Sequence, residues 1–215
     1  ADGTIKAQSG YDQRNTYPRL AKNVAPFDGD GAAWIARQAP ENSRWQALLW
    51  AASAVKDPAA RRKQYRDAVE GDREWEKAKR YADAIEVARL TGDPAIVAEM
   101  RTALAKSLTD GIGVFDGNAT ENAARIALLL GDEMPDACRL LLEVAMYQTR
   151  EMNPETENEF WLVRPAIAAM AWVDLTRALQ IAESFQTPKA VADGKREIVR
   201  ALTTPPDKWQ VLVTR

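Results

Sequence analysis

Two carboxylates carry most of the catalytic chemistry that the sequence offers. Glu143 in "LLLEVAM" and Asp174 in "MAWVDL" stand among apolar residues. Desolvation raises a carboxyl pKa there, so the pair could supply the acid and base of a polysaccharide-cleaving hydrolase or lyase. Each acid also has a cation within helical reach: Arg139 is four residues before Glu143, and Arg177 is three after Asp174. Pairing of each acid on its own helix accounts for the same residues, since buried charges are normally paired. Other routes are closed. The chain has no histidine, which excludes Ser-His-Asp and Cys-His nucleophilic sites, HExxH zinc sites and histidine-ligated haem. Cys138 is the single cysteine, so neither an internal disulfide nor a CxxC site can form. Within "PDACRLLLEVAM" it reads as a buried small hydrophobe.

Weaker motifs have structural explanations. "SAVK", Ser53 to Lys56, has the SxxK spacing that sets a lysine one turn from a serine, without the SDN-like and KTG elements of such sites. "GIGVFDG", 111–117, follows a helix instead of a strand and reads as an interhelical loop, not a phosphate cradle. In "REMNPETENEF" Glu151, Glu155, Glu157 and Glu159 could meet a hard cation or a basic partner. The calcium-loop pattern is missing, so a solvated acidic loop is expected, with partner contact through Glu155, Glu157 and Glu159 as the alternative, and neither metal nor cofactor is called for. From Lys56 to Arg80 nine Lys or Arg interleave with Tyr65 and Trp75. Asp67, Glu70, Asp72, Glu74 and Glu76 are mixed in at helical spacings, as on a solvated charged face, and the net charge of −2 gives no global pull on nucleic acid. Trp45 shares a stripe with Leu48, Leu49, Ala52 and Val55, whereas Trp50 falls off that face; a second packed layer of helices accounts for it, and exposed it is a candidate anchor for a partner. In the sequon Asn118-Ala119-Thr120 the threonine is explained as a helix cap.

The elements that must position these residues are helices. At 215 residues, 46% hydrophobic and 28% charged, the chain can bury one sizeable core. The pattern predicts an extended N-terminal arm over 1–30 anchored by Tyr11, Tyr17 and Phe27, one helical domain over 31–203, and a tail over 204–215 in which Trp209, Val211 and Val213 alternate. Helices are expected at 31–38, 43–56, 58–70, 73–91, 94–108, 120–130, 135–150, 165–185 and 188–203. The stretches 123–130, 137–147 and 166–182 are apolar nearly all round and should be the most enclosed. No stretch has the roughly 20 clean apolar residues of a bilayer span, and none reads as a signal peptide. A soluble protein is expected, with cytoplasm and periplasm or exterior both open.

The join "ARLTGDPAIV", Ala88 to Val97, sets the architecture. Gly92 can end one helix in the left-handed conformation, Asp93 can cap the next, and Pro94 suits a first helical position. Related joins carry Asp57-Pro58, Gly131-Asp132 before Pro135, and Thr187-Pro188. By subtraction, Asp57 to Asp93 is 36 positions and Asp93 to Asp132 is 39, the range of two-helix repeats. The stretch "YADAIEVARLTGDPAIVAEMRTALAKSL", Tyr81 to Leu108, resembles the helix-turn-helix units of tetratricopeptide-like α-solenoids over about one repeat. The family's Trp-Leu-Gly-Tyr pattern is absent. The resemblance implies a concave helical surface for a peptide or protein. The expectation is an all-α fold of antiparallel helix pairs, a solenoid or an irregular bundle, serving as a non-enzymatic protein-binding module, scaffold or accessory subunit. The carboxylate-pair enzyme is its rival.

Overall fold

Short polar residues start these helices, and alanines let them approach. The computed structural model describes residues 10–70, 74–109, 119–151 and 159–205, with Lys208. Among them are eleven α-helices and no strand, so the fold is all-α. They are α1 (Gly10–Val24), α2 (Gly29–Gln38), α3 (Glu41–Ser53), α4 (Pro58–Val69), α5 (Glu74–Leu90), α6 (Pro94–Thr109), α7 (Ala119–Leu130), α8 (Pro135–Glu151), α9 (Glu159–Val173), α10 (Leu175–Glu183) and α11 (Pro188–Thr203). The chain forms two compact units, Ala1–Leu104 and Ala105–Arg215, within which the expected helical domain is divided. The alternating tail lies outside the described residues, apart from Lys208.

Each unit has the same order of packing. In the first, α1 packs on α2 and α3, α2 on α3, α3 on α4 and α5, and α4 on α5. In the second, α7 packs on α8 and α9, α8 on α9, α9 on α10 and α11, and α10 on α11. Within α1–α5 and within α7–α11, neighbours in sequence therefore pack together, and odd-numbered helices also pack on the next odd one. The central helices are α3 and α9. Ala166, Ile167, Ala168, Ala169 and Met170 of α9 are all fully buried. Around α1, α2 and α3 the buried cluster consists of Ala21, Ala25, Ala32, Ala36, Ala39, Ala47 and Ala51. A methyl side chain loses no rotamer freedom on burial and lets helix axes come close, so this core rests on proximity and not on bulk.

Even-numbered neighbours are tied by charge. Arg61 Nε of α4 lies 2.8 Å from Asp93 Oδ2 at the start of α6, and Arg66 reaches Glu99 of α6. In the second unit Glu143 of α8 pairs with Arg177 of α10.

The Gly92 join forms as expected. Gly92 has φ 71°, the Asp93 amide donates to the Ala88 carbonyl and the Gly92 amide to that of Arg89, closing a Schellman end on α5. The Ile96 amide then donates to Asp93 Oδ1 at 3.1 Å. Asp57 and Thr187 cap in the same way, accepting from the amides of Ala60 and Ala190. Asp93 thus caps with one oxygen and pairs with Arg61 through the other. Asp93→Ala is expected to cost about 1–2 kcal/mol in urea denaturation. Asp93→Asn, which keeps a capping oxygen and loses the charge, should cost about half as much. Partner binding should be unchanged by either; lost binding at undiminished stability would make Asp93 a ligand residue instead.

The Gly131 join is different. Gly131 has no positive φ, and the amides of Glu133 and Met134 donate back to Leu130. Cys138 donates to the Met134 carbonyl, so Met134 and not Asp132 holds the cap position of α8. A Cβ on Gly131 would stand 2.6 Å from the Ala127 carbonyl oxygen and 2.9 Å from Val173 Cγ2. This glycine serves close approach, whereas Gly92 has nothing within 4 Å and serves its backbone angle.

Four expectations are corrected. Residues 10–24 of the supposed extended arm are helical, because Tyr17, Ala21, Val24 and Ala25 recur at helical spacing and pack into the alanine cluster. Phe27 anchors nothing and is 91% exposed. The single helix of 165–185 is two helices starting at 159, broken where Asp174, extended at φ −152°, caps α10. Thr120 is not a cap: it lies inside α7, buried, and donates to the Leu162 carbonyl of α9 at 2.9 Å, close to the turn where Pro165 lacks an amide.

Candidate functional site

Arg177 brings the two candidate acids to one residue. Its Nε lies 2.6 Å from Glu143 Oε1, and its backbone amide donates to Asp174 Oδ1 at 2.9 Å. Arg139 turns instead to Asp136, with Nη2 to Oδ1 at 3.3 Å. The expected pairing of each acid on its own helix is therefore corrected. Asp174 is committed to the first turn of α10, which leaves the Arg177 guanidinium for the neighbouring α8. Glu143 joins two helices and Asp174 begins one. The reach of both to Arg177 follows from these structural tasks.

Other candidate nucleophiles are in similar positions. Ser53 donates its hydroxyl to the Trp50 carbonyl at 2.7 Å, as a residue ending α3. Burial, and then the nearby Asp132 carboxylate, push the Cys138 thiol up to about 11. Burial likewise pushes the Tyr65 phenol up to about 12. Both groups stay protonated and unreactive at neutral pH. Among the described residues no three His, Cys, Asp or Glu side chains gather as metal ligands, and no helix is long and apolar enough to cross a membrane.

Trp50 is half-buried. It packs against the alanine cluster, and Lys22 Nζ stands 5.1 Å from its ring centroid. It serves a second packed layer, the explanation preferred above, and is not the fully exposed residue of the alternative. Trp45 is buried, with the Arg80 guanidinium over its ring at 5.6 Å. Glu155 and Glu157 lie outside the described residues, as does the side chain of Glu159. Cations of the basic stretch are engaged at home: Arg61 with Asp93, Lys63 with Asp67, Arg66 with Glu99, and Arg80 with the Glu70 carbonyl. Trp75 and its acidic neighbours Asp72, Glu74 and Glu76 fall outside the described side chains.

The surface that sequence reasoning missed is on α8. The stretch 137–147, expected among the most enclosed, is buried on one side only. Cys138, Leu142, Ala145, Met146 and Thr149 face the neighbouring helices. Leu140, Val144 and Tyr147 are 63%, 40% and 65% exposed. Their spacing of four and three residues places them on one stripe. The signal was available as two apolar stripes on one helix, of which a two-layer stack can cover only one.

A second cluster lies between α9 and α11. Glu197, buried, stands 3.5 Å from Arg164 Nε and 3.3 Å from Arg200 Nη1. The Arg164 guanidinium also covers the Trp161 ring at 5.6 Å. Trp161 packs edge-on to Phe160, which in turn meets Phe185. Two arginines on one carboxylate make a fastening for the α9–α11 interface. Comparison with protein-family models, with curated proteins and with solved structures finds no match to this chain.

Proposed function

We propose that the chain is a non-enzymatic helical-repeat module that binds another protein, as a scaffold or accessory subunit of a complex. The observation that carries this reading is the exposed Leu140, Val144 and Tyr147 stripe of α8. Large apolar side chains scattered singly on a surface are ordinary, whereas three aligned along a helix form a docking face. The packing of odd helices on odd within α1–α5 and within α7–α11 supports stacked helix pairs of the tetratricopeptide-like kind. The structural commitments of Glu143, Asp174 and Ser53 further favour binding over catalysis.

Affinity capture from the native source tests it. The double variant Leu140→Ser, Tyr147→Ser should lose the partner that the parent chain captures, with stability changed by no more than about 0.5 kcal/mol, because both residues are on the surface. Equal capture by parent and variant, or turnover of a polysaccharide abolished by Glu143→Gln, would overturn the reading.

A further inference from the structure

The α8 stripe has acidic ends. Asp136 and Glu151, both exposed, continue the line of Leu140, Val144 and Tyr147 at either end. Successive spacings of four, four, three and four residues hold all five within about 80° of arc, along about 22 Å of helix. Asp132 and Glu133, exposed in the turn before α8, add to the first end. From 132 to 151 there are five acids against Arg139 and Arg150. Arg139 already faces Asp136, and Glu143 takes its cation from α10.

We infer that this face docks an amphipathic helix of a protein partner, about four turns long, with lysine or arginine at both ends of its apolar stripe. This rests on the protein-binding reading above and names the chemistry of the partner. A helix suits the face because α8 offers ridges of side chains and no strand edge, and a shallow crossing keeps contact over several turns. The basic ends follow from charge. An acidic partner would place like charges together at both ends, and anionic lipid or nucleic acid would meet the same repulsion. A second copy of α8 laid antiparallel would set Asp136 against Glu151.

The test uses the full chain and two synthetic helical peptides of about 16 residues. Both carry leucines at the complementary spacing; one has lysines at each end and the other glutamates. The lysine peptide should bind at least about tenfold more tightly at low salt, with the advantage shrinking as salt is added. Leu140→Ser, Tyr147→Ser should abolish its binding, and Asp136→Lys, Glu151→Lys should reverse the preference, with circular dichroism unchanged. Equal binding of the two peptides, no binding of either, or binding that survives the stripe variant would overturn the inference. So would a concentration-dependent dimer broken by Leu140→Ser, Tyr147→Ser, which would give the face to a second copy. Partner capture by the same stripe variant reads the module separately: capture lost while the peptides fail to discriminate leaves the module standing without its basic partner.

Discussion

Raising the pH from 9 to 12 is expected to remove about 2–3 kcal/mol of stability from each unit through one buried acid in each. Cys138 ionises at about 11 in the folded chain against 9.0 ordinarily, and Tyr65 at about 12 against 10.0. Each folded pKa is raised, so between the two values the folded chain holds a proton that the unfolded chain has released. The contribution is complete below the unfolded value and is lost as pH rises through the folded one. For Cys138 the window is pH 9 to 11, and for Tyr65 it is 10 to 12. Burial is the first cause in both, so the loss should persist in high salt. Urea denaturation across this range should show a shallower decline in the second unit for Cys138→Ala and in the first unit for Tyr65→Phe. Parallel declines in parent and variant would show that the burial is not maintained in solution. The same burial predicts that Cys138 reacts with a thiol reagent only on unfolding.

Glu197→Ala should be the most damaging single change described, at about 3–5 kcal/mol, because it leaves the Arg164 guanidinium in the α9–α11 interface without its carboxylate. The loss comes from an abandoned charge, so removing both partners should restore much of it. Arg164→Met combined with Glu197→Met is expected to lie within about 1–2 kcal/mol of the parent, since well-packed apolar replacements of buried ion pairs are often neutral. A double-mutant cycle by urea denaturation measures the coupling. Additive costs would mean that the two side chains act separately.

Much of the architecture was legible because the joins are local chemistry. Asp57, Asp93 and Thr187 each precede a proline and each caps its helix; no distant residue decides that outcome. The buried faces of α5 and α6 were equally readable, with Ala78, Ala82, Ile85, Ala88, Ile96, Met100 and Leu104 all in the core. What escaped depends on tertiary context. The α1 helix contains Pro18 and a polar, glycine-led start, and draws its support from burial of Ala21 and Ala25. Asp174 sits in an apolar run that reads as continuous helix, and only its extended backbone marks the break. The two site acids were readable as apolar-flanked carboxylates, yet Arg177 reaches across to α8, which intrahelical spacing cannot show. The α8 stripe was visible as apolar residues, but composition does not tell a covered face from an open one.

The helices of the first unit are joined by two kinds of force, and this makes that unit mechanically unequal from one end to the other. Contacts such as those among the alanines have a steep repulsive wall and little slack, because close-packed methyl groups cannot shift without a clash or a void. An ion pair at the surface, such as Arg66 with Glu99 or Arg177 with Glu143, is shallow, screened by salt and tolerant of lengthening. Under load the α1–α3 cluster acts as an inextensible block and the α4–α6 contact as a compliant one. The first unit therefore yields between α4 and α6 before it yields among its alanines, and ionic strength sets how readily.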